Sequence, residues 1–407
     1  MGGDILFLAH RLPFPPDRGD KIRAHHVLKA LAQIAPVHVG TMVDSREDLL
    51  HTPELARLAA SHCVVLRDKP MWRAGLESLW LGEPVSVAAW RSAQLAHWVE
   101  NLLSSGRIGA VFFYSGQMGQ FVPASWTGRL VVDLCDVDSA KFEAYAAKAA
   151  RPLGWIHARE GRLLSRIEAA LAARADHTLL VSEEEAALLR SRVPGGRDIR
   201  ALGNGIDAAF FDPAGIVPAP ELSAGQGQHL LFTGQMDYLP NIDAVTRMTR
   251  RIMPQVLARQ PEARFHIVGR LPSREVLALD GVNGTLVHGA VPDVRPWVAG
   301  ADLVTVPLEI ARGVQNKVLE AMAMARAVVL SPEAATGIAA SHGEHVLIAA
   351  DDAAFVSTIL DDRLDRPALG HGARDFVLKN QSWPAMLADL PRLMGLPPPG
   401  EETRDAA

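Results

Sequence analysis

The sequence predicts an α/β protein composed of two doubly wound, Rossmann-like domains, each built on a parallel sheet. Its 407 residues are too many for one ordinary core and fit two domains of about 150–200 residues each. Short apolar runs, typical of strands that are buried on both faces, alternate with helical patterns along the whole chain. Because a helical stretch joins each run to the next, we expect right-handed crossovers and parallel strand pairing.

The apolar runs form two series, and a linker separates them. The predicted strands of the first series are Ile5–Ala9, Val37–Met42, Cys63–Leu66, Ala110–Phe113, Leu130–Leu134 and Thr178–Val181. The predicted strands of the second series are Leu230–Thr233, Phe265–Val268, Thr285–His288, Leu303–Val306, Ala327–Leu330 and Val346–Ala349. Residues 207–228 between the two series are rich in proline and glycine, which is typical of a linker.

These patterns define the expected domain organisation. An N-terminal domain is expected over residues 1–205 and a C-terminal domain over residues 206–381. A last helix within residues 382–396 is expected to pack back on the N-terminal domain. Residues 397–407 are polar and rich in proline, so we expect a flexible tail there.

Two helix starts can be read from capping residues. Ser182 is followed three residues later by Glu185, which is the spacing of a capping box. Asn241 is expected to cap a helix that runs toward Gln260.

Composition narrows the functional classes and the location. A net charge of −5 and a pI near 6.3 disfavour a broad nucleic-acid interface. Cys63 and Cys135 are too few for a disulfide framework and lack metal-ligand spacing. The first strand begins almost at Met1, and no apolar run is long enough to span a bilayer. We expect a soluble, cytoplasmic protein, with peripheral docking on the cytoplasmic face of the inner membrane as a further option. The sequence does not determine the oligomeric state.

The segment Pro70–Trp90 is unusual in its apolar residues. It contains tryptophans at positions 72, 80 and 90 and other apolar residues of exposed appearance, although core packing explains aromatic residues more often. An acceptor-facing or membrane-facing edge is one interpretation, and ordinary core packing is the other.

The loop after the first predicted strand is the first candidate binding element. Residues 11–23 form a long loop, since βα loops usually have about two to six residues. Gly19 permits close backbone approach, and a helix from Lys21 would present its N–H groups to an anion. Because ligands of parallel sheets bind beyond the carboxyl ends of the strands, Gly19, Asp20 and Arg23 are candidate ligand contacts. A rigid surface turn with solvated charges is the alternative.

Two later loops have the same position in the second series. Gly234–Asn241 follows the first strand of that series, and its glycine would let backbone approach a ligand; a simple capped helix is an equal alternative. Pro307–Ala323 runs from a strand end through a glycine-containing loop into a helix. On that helix Asn316, Lys317 and Glu320 can share one face.

The charge on this helix also indicates a ligand. A lysine near a helix N-terminus opposes the helix dipole, and a bound anion would reverse that cost. The carboxylate of Glu320 is suited to accept both hydrogen bonds of a ribose diol. An amphipathic surface helix is the alternative interpretation.

At this third loop the sequence resembles the retaining glycosyltransferases of family 4 (group 1), which have the GT-B fold. Gly313 and Glu320-Ala321-Met322-Ala323 match the signature of that family. Further matches occur in the family's order, at residues 203–207, 265–269, 288–291, 328–329 and 336–338. The resemblance extends over nearly the whole chain. The opening loop and residues 133–139 and 312–317 are similar to sugar transferases of bacterial exosortase (PEP-CTERM) and exopolysaccharide gene clusters.

The resemblance implies an activity and a division of roles. The activity is transfer of a sugar from a nucleoside-diphosphate sugar to a glycan or polyprenyl-linked acceptor, with retention, in exopolysaccharide biosynthesis. The C-terminal domain would bind the donor, with Glu320 on the ribose and other residues near the base and phosphates. Those other donor-binding candidates are Gly234, Asn241, Gly269, Arg270, Val291, Gly313 and Asn316. The N-terminal domain would bind the acceptor near Gly19, Asp20 and Arg23.

The sequence departs from the family pattern at the diphosphate site. Arg312 stands where the family has the first acidic residue of its signature. The arginine and lysine that bind the donor diphosphate in the family are replaced by Gln235 and the Pro240–Asn241 region. We therefore expect Arg312 and Lys317 to act as catalytic residues that stabilise the leaving diphosphate.

Asp136 and Asp138 are the remaining candidate catalytic residues. Either carboxylate could act on the acceptor hydroxyl or hold the sugar, while a helix N-cap by Asp138 or Ser139 is an equal alternative. The Asp-x-Asp string also binds manganese in another glycosyltransferase fold. Two doubly wound domains favour the fold that uses cationic residues instead, so we expect no metal and no cofactor besides the donor substrate.

Sugar transfer has three competing functional interpretations. A dinucleotide-dependent oxidoreductase would need Gly-x-Gly-x-x-Gly after a strand, and no predicted strand has it. A sugar-nucleotide epimerase of the same fold stays open as an alternative. So does a non-catalytic nucleotide-sugar-binding protein, which the replaced diphosphate residues would explain. The donor base and sugar, the acceptor and the anomeric outcome are also open.

Overall fold

The computed structural model describes residues 3–223, 227–311 and 313–396. They divide into two compact units, of which the first takes residues up to Asn204 together with those from Met386 onward. The second unit is Gly205–Ala385. No helix in the described ranges is long and apolar enough to cross a membrane. The expected tail, residues 397–407, lies outside the described residues.

The first domain is built on a parallel sheet of seven strands in the order β3-β2-β1-β4-β5-β6-β7. The strands are β1 (Asp4–Ala9), β2 (Val37–Val43), β3 (Ser61–Leu66), β4 (Ile108–Tyr114), β5 (Arg129–Cys135), β6 (His177–Leu180) and β7 (Asp198–Ala201). The order reverses between β1 and β4, so the carboxyl ends of these two strands open the crevice in which ligands of such sheets bind. The sequence did not predict β7, because this edge strand buries only Ile199 and has no apolar run.

The helices of this domain follow the strands as crossover segments. They are α1 (Gly19–Ala32), α2 (Thr52–Ala56), α3 (Met71–Leu81), α4 (Val85–Ala88), α5 (Ala93–Ser104), α6 (Asp138–Lys148), α7 (Leu153–Arg174) and α8 (Glu183–Arg192). Ser182 caps α8 as predicted, since its side chain accepts a hydrogen bond from the backbone N–H of Glu185. The Glu185 carboxylate does not complete the capping box; it accepts from the backbone N–H of Val137.

The second domain has a parallel sheet of six strands in the order β10-β9-β8-β11-β12-β13. The strands are β8 (His229–Thr233), β9 (Arg264–Val268), β10 (Thr285–Gly289), β11 (Leu303–Val306), β12 (Val328–Leu330) and β13 (Leu347–Ile348). Its helices are α9 (Pro220–Ser223), α10 (Leu239–Arg247), α11 (Met253–Leu257), α12 (Arg274–Leu277), α13 (Arg295–Gly300), α14 (Asn316–Ala323), α15 (Asp352–Ile359), α16 (Arg366–Asn380) and α17 (Trp383–Met386). A π-helical segment, Met248–Ile252, joins α10 to α11.

Three histidines form a row across the second sheet. The Nδ1 atom of His229 lies 2.9 Å from Nε2 of His266, and Nδ1 of His266 lies 3.0 Å from Nε2 of His288. Burial and the two neighbouring rings lower the pKa of His266 to about 3. His266 is therefore neutral at physiological pH and is hydrogen-bonded to the ring on each side of it.

Two expectations about helix ends were wrong. Asn241 does not cap a helix, because α10 begins two residues earlier and Asn241 is buried inside its first turn. The last helix is not continuous: α17 is followed by a separate short helix, α18 (Leu390–Leu393). Proline occupies the second position of both helices and favours a new helix start rather than a helix interior.

Candidate functional site

A cavity of about 590 Å³ lies at the carboxyl edge of the second sheet. Loops that follow β8, β9 and β10 and the N-terminus of α14 surround it. This position is next to the reversal of strand order between β8 and β11, where open α/β sheets bind ligands. The residues that line it are Thr233, Gly234, Gln235, Tyr238, Asn241, Val268, Gly269, Arg270, Ala290, Val291, Val294, Val314, Gln315, Asn316, Lys317 and Glu320.

Most of the predicted donor-binding residues meet in this one cavity. Of the eight donor-binding candidates, all except Gly313 line it, and so does Lys317. Gly313 lies in the preceding loop, where its φ of +65° explains the need for glycine. Arg312 lies outside the described residues.

Two positions at the bottom of the cavity require glycine because neighbouring atoms leave no room for a side chain. A Cβ atom on Gly269 would lie 1.6 Å from the carbonyl oxygen of Gly234, which is impossible without backbone movement. A Cβ atom on Gly234, whose φ is +155°, would lie 2.9 Å from Nδ2 of Asn241 and 3.2 Å from Nζ of Lys317. Side chains are excluded at both positions, so backbone and the Lys317 amine share the space at the strand ends.

Lys317 is held at this point by two groups. Its Nζ donates a hydrogen bond to Oδ1 of Asn241 and lies 4.4 Å from the centre of the Phe232 ring. Nδ2 of Asn241 in turn donates to the carbonyl oxygen of Gln235, at 2.8 Å. Burial lowers the pKa of Lys317 to about 8, although the carboxylate of Glu320 opposes this shift. The amine is therefore still mostly charged at neutral pH, in a place that penalises its charge.

Glu320 lies one turn further along α14 and lines the same cavity. Burial raises the pKa of its carboxyl group, and the Lys317 amine opposes the shift. Arg270, at the carboxyl end of β9, donates from Nη2 to Oε1 of Gln235 at 3.3 Å. The cavity thus combines a lysine, an arginine and a carboxylate with exposed backbone at strand ends and a helix N-terminus. Such a set can bind an anion and a diol together.

The first domain places Asp20 at the start of α1, beside residues that follow β1. The Asp20 carboxylate accepts from Nη1 of Arg11 at 2.6 Å and lies 3.4 Å from Nε2 of His10. These contacts hold the pKa of Asp20 well below its usual range. Gly19 is the first residue of α1, and a Cβ atom there would meet no atom within 4 Å. The region is open at Gly19, and the Asp20 carboxylate is paired with the cations of Arg11 and Arg18.

His10 in this region was not predicted from the sequence. It is 7% exposed, and its Nδ1 atom is buried without a hydrogen-bond partner in the described structure. Its position directly after the first predicted strand was the available signal.

Arg23 is not free for an acceptor, contrary to the expectation. Its side chain is 1% exposed, and its guanidinium binds both carboxylate oxygens of Asp133, at 2.7 and 3.1 Å. Nη1 also donates to Oδ1 of Asn204 at 2.9 Å. Because every one of these contacts is buried or partly buried, Arg23 fixes α1 against the end of β5 rather than contacting a ligand.

Asp136 and Asp138 flank the start of α6 and share one cation. Nζ of Lys141 lies 2.7 Å from Oδ2 of Asp136 and 3.3 Å from Oδ1 of Asp138. Burial opposes the shift, but the two carboxylates raise the pKa of Lys141 above its usual range. The alternative of an N-cap by Asp138 or Ser139 is wrong. Val137 occupies the N-cap position, and Ser139 binds the carboxylate of Glu168.

Asp136 and Asp138 are therefore occupied by an ammonium group. Within the described residues, no three His, Cys, Asp or Glu side chains are grouped so that they could hold a metal ion.

Comparisons with known proteins agree with this architecture. Residues 227–361, a third of the chain, match the family model "Glycosyl transferases group 1". A search of curated protein sequences gives no match. Among solved structures, a glycosyltransferase from Rickettsia africae superposes with a TM-score of 0.60 at 13% identity, covering 96% of this chain and 97% of that chain.

Two further structures are similar over almost their full length. Sucrose-phosphate synthase from Thermosynechococcus elongatus has a TM-score of 0.58 at 16% identity and covers 96% of this chain and 98% of that chain. HepE from Anabaena, solved with UDP and glucose, has a TM-score of 0.57 at 14% identity and covers 97% and 100%. At these identities the likeness establishes the fold, which is GT-B.

These findings place the chain among glycosyltransferase enzymes with the GT-B fold. More particularly, residues 227–361 match the family model of group 1 glycosyl transferases, and the residues that line the cavity lie within that stretch.

Proposed function

We propose that the protein transfers a sugar from a nucleoside-diphosphate sugar, held in the second domain, to an acceptor hydroxyl. The observation that carries this proposal is the pairing of Lys317 and Glu320 on one helix of one cavity. An amine whose charge is penalised by burial is stabilised by a diphosphate, and a carboxylate one turn away can bind a ribose diol. HepE, a protein of the same fold, was solved with UDP and glucose, which supports a nucleotide-sugar donor.

The chemical step places new charge on the diphosphate. The bond from the anomeric carbon to the phosphate oxygen breaks, and its electron pair stays on the leaving group. The acceptor oxygen then bonds to the anomeric carbon, and its proton passes to the leaving diphosphate. Pre-placed donors that face the leaving group are worth several kcal/mol in a water-poor site, of the order of 3–4 for one donor. Lys317 and Arg270 are the described side chains that would supply this charge, with Arg312 as an expected third.

Retention, a glycan or polyprenyl-linked acceptor and a role in exopolysaccharide biosynthesis are parts of the proposal that rest on the sequence resemblance. For the acceptor side, Asp20 and Gly19 are the proposed contacts. Asp136 and Asp138 are proposed to act there with Lys141 as their counter-ion.

The proposal is tested by ligand stabilisation followed by turnover. We would measure thermal unfolding with UDP, GDP, ADP and their sugars, with and without EDTA. A ligand at 100 times its dissociation constant adds about 2.7 kcal/mol to the free energy of unfolding, which is easily measured. We expect one base to stabilise the protein in EDTA, and Glu320→Gln to weaken the effect. Absence of stabilisation by every nucleotide would refute the donor site.

Turnover separates the alternatives. With the stabilising nucleotide sugar and a panel of sugar and lipid-linked acceptors, nucleotide release that depends on an acceptor supports transfer. Interconversion of the sugar without nucleotide release would indicate an epimerase. Binding with neither reaction would indicate a non-catalytic binding protein.

A further inference from the structure

The first domain exposes an apolar helix face to solvent. On α3, Trp72, Leu76, Leu79 and Trp80 are 69%, 59%, 66% and 85% exposed. Their spacing of four, three and one residues gives one stripe along the helix. The opposite face, with Ala74 and Ser78, is buried. The helix is therefore amphipathic in the reverse sense, because its large apolar side chains point away from the core of the domain.

A second apolar group lies where α6 and α7 are joined, in residues 145–156, here called the α6–α7 tip. Leu153, Trp155 and Ile156 in this tip are 51%, 63% and 54% exposed. Tyr145, in the last turns of α6, is 52% exposed. The tip thus presents three large apolar side chains and a tyrosine within twelve consecutive residues.

Hydrogen bonds join α3 to α7, the helix that begins in the tip. The guanidinium of Arg159 on α7 donates to the carbonyl oxygen of Ser78 at 2.8 Å and to its hydroxyl at 2.9 Å. Trp155 and Ile156 lie one helical turn before Arg159, on the same face of α7. Leu79 directly follows Ser78 on α3. The two elements that carry the exposed apolar side chains, α3 and the start of α7, are consequently adjacent in the fold.

The charge of the tip is positive, whereas the whole chain carries −5. The tip contains Lys148 and Arg151 and no acidic residue. Residues 69–82 contain two cations and one carboxylate, Glu77, which pairs with Lys69 at 2.7 Å. Within the described chain, neither Lys148 nor Arg151 has a carboxylate within 4 Å; the Arg151 guanidinium lies 5.0 Å from the ring centre of Trp155. These two cations lack a protein counter-ion among the described residues.

We propose that α3 and the α6–α7 tip form a docking surface for an anionic lipid bilayer. Three indole rings that are 63–85% exposed leave on the order of 400 Å² of aromatic surface in water. That area alone is comparable with the largest apolar patch of a typical monomer, which is often functional. Tryptophan at the headgroup level with lysine and arginine beside it is the pattern of interfacial membrane binding. The unpaired cations favour anionic lipid over an uncharged protein face as the occupant.

Vesicle binding tests this proposal on the full chain without a nucleotide, so its failure and that of the donor site are separable. We would compare sedimentation with vesicles of phosphatidylcholine alone and of equal parts phosphatidylcholine and phosphatidylglycerol. We expect binding to the mixed vesicles that weakens with salt, together with a blue shift of tryptophan emission. Replacing both Trp80 and Trp155 by serine should reduce partitioning at least ten-fold, roughly the loss of several buried methylene equivalents.

Charge and position provide the matched variants. Lys148→Gln and Arg151→Gln should each lower binding to the mixed vesicles about five-fold and leave the thermal midpoint unchanged. Leu50→Ser is the control, since Leu50 is 77% exposed on a different element of the same domain. All four variants should still bind nucleotide as the unmodified protein does.

Two results would overturn the proposal. One is vesicle binding that is absent, or that is equal for the unmodified protein and the tryptophan variant. The other is self-association, measured by sedimentation velocity, that the tryptophan substitutions abolish while vesicles have no effect; a second copy would then be the occupant.

Discussion

Replacing Lys317 by methionine keeps the length of the side chain and removes its charge from the cavity. Lys317 donates to Asn241, faces the Phe232 ring and lines the cavity wall beside Glu320. If this amine stabilises the leaving diphosphate, its loss should lower kcat more than it raises KM. Removal of one such donor from a reacting site costs about 10²–10³ in rate.

The pKa of Lys317 in the structure also determines how much Lys317→Met should change the free energy of unfolding. The pKa of Lys317 falls from its ordinary value of 10.5 to about 8, which corresponds to about 3 kcal/mol against keeping the amine charged in the folded protein. Below pH 8 this penalty is fully present. Between pH 8 and 10.5 the unfolded chain binds more protons than the folded chain, so stability should rise with pH through that range. Lys317→Met should remove the rise and should be more stable at pH 7, by as much as about 3 kcal/mol.

A bound diphosphate should offset the same penalty. We expect nucleoside diphosphates to raise the pKa of Lys317, so that binding near pH 8 takes up a proton. Calorimetry in buffers of different ionisation enthalpy measures this uptake. Transfer rates, urea unfolding from pH 7 to 10 and the calorimetry would be repeated on three proteins: unmodified, Lys317→Met and Lys317→Arg. Lys379→Met on α16 serves as the control for loss of a lysine elsewhere.

The reasoning would be refuted by a specific combination. If Lys317→Met transferred sugar at the full rate and bound diphosphate with the same proton uptake, Lys317 would have no role at the leaving group. If the variant lost activity but also lost stability at pH 7, Lys317 would be a structural residue. Partial activity of Lys317→Arg with none in Lys317→Met would support the electrostatic role.

Three further predictions concern residues that support the fold. Gly269→Ala places a Cβ atom 1.6 Å from a carbonyl oxygen. It should abolish nucleotide binding and lower the free energy of unfolding by more than the roughly 1–3 kcal/mol of ordinary overpacking. The control Gly195→Ala lies in open space and should stay within about 0.5 kcal/mol of the unmodified protein in urea unfolding. Arg23→Met leaves the buried Asp133 carboxylate unpaired and should cost about 3–5 kcal/mol; adding Asp133→Leu should restore most of that loss, and a double variant as unstable as the single one would contradict the ion-pair explanation. The folded pKa of His266 is about 3, so below pH 6.5 the unfolded chain binds more protons than the folded chain. Stability should therefore decrease as the pH is lowered, by up to about 1.4 kcal/mol per pH unit. His266→Gln should flatten this slope in urea titrations from pH 7 to 5, and an unchanged slope would assign it to other groups.

The strands that the sequence predicted are those in which burial on both faces leaves a continuous apolar run. In β1 the five residues from Ile5 to Ala9 are fully buried, so the sequence itself shows the strand. β7 escaped because an edge strand needs little apolar surface, and Asp198–Ala201 buries one residue. Asn241 was misassigned for a related reason. An asparagine can cap a helix or lie inside its first turn; here Pro240 favours the earlier start, and the Asn241 amide bonds to Gln235 and Lys317.

The cavity was more predictable than the first-domain region. Its residues follow successive strand ends, and parallel strands bring such residues to one edge whatever the side-chain details. By contrast, the burial of Arg23 depends on Asp133 and Asn204, which are far away in the sequence. Whether a loop arginine contacts solvent, ligand or a buried carboxylate is decided by those tertiary partners, and local sequence carries no record of them.

The chain passes from the first unit to the second and then returns. The two ends of the second unit meet: the backbone N–H of Ile206 donates to the carbonyl oxygen of Gln381 at 2.7 Å, and that of Trp383 donates to Ile206 at 3.2 Å. The first unit, in contrast, is completed by α18, whose Leu393 carbonyl accepts from Nε of Arg129 at 2.8 Å. During synthesis, the second unit can therefore close as soon as its own residues have emerged, while the first must wait for residues made almost at the end. A shortened gene product that stopped near residue 385 would keep the second domain whole and leave the first unfinished.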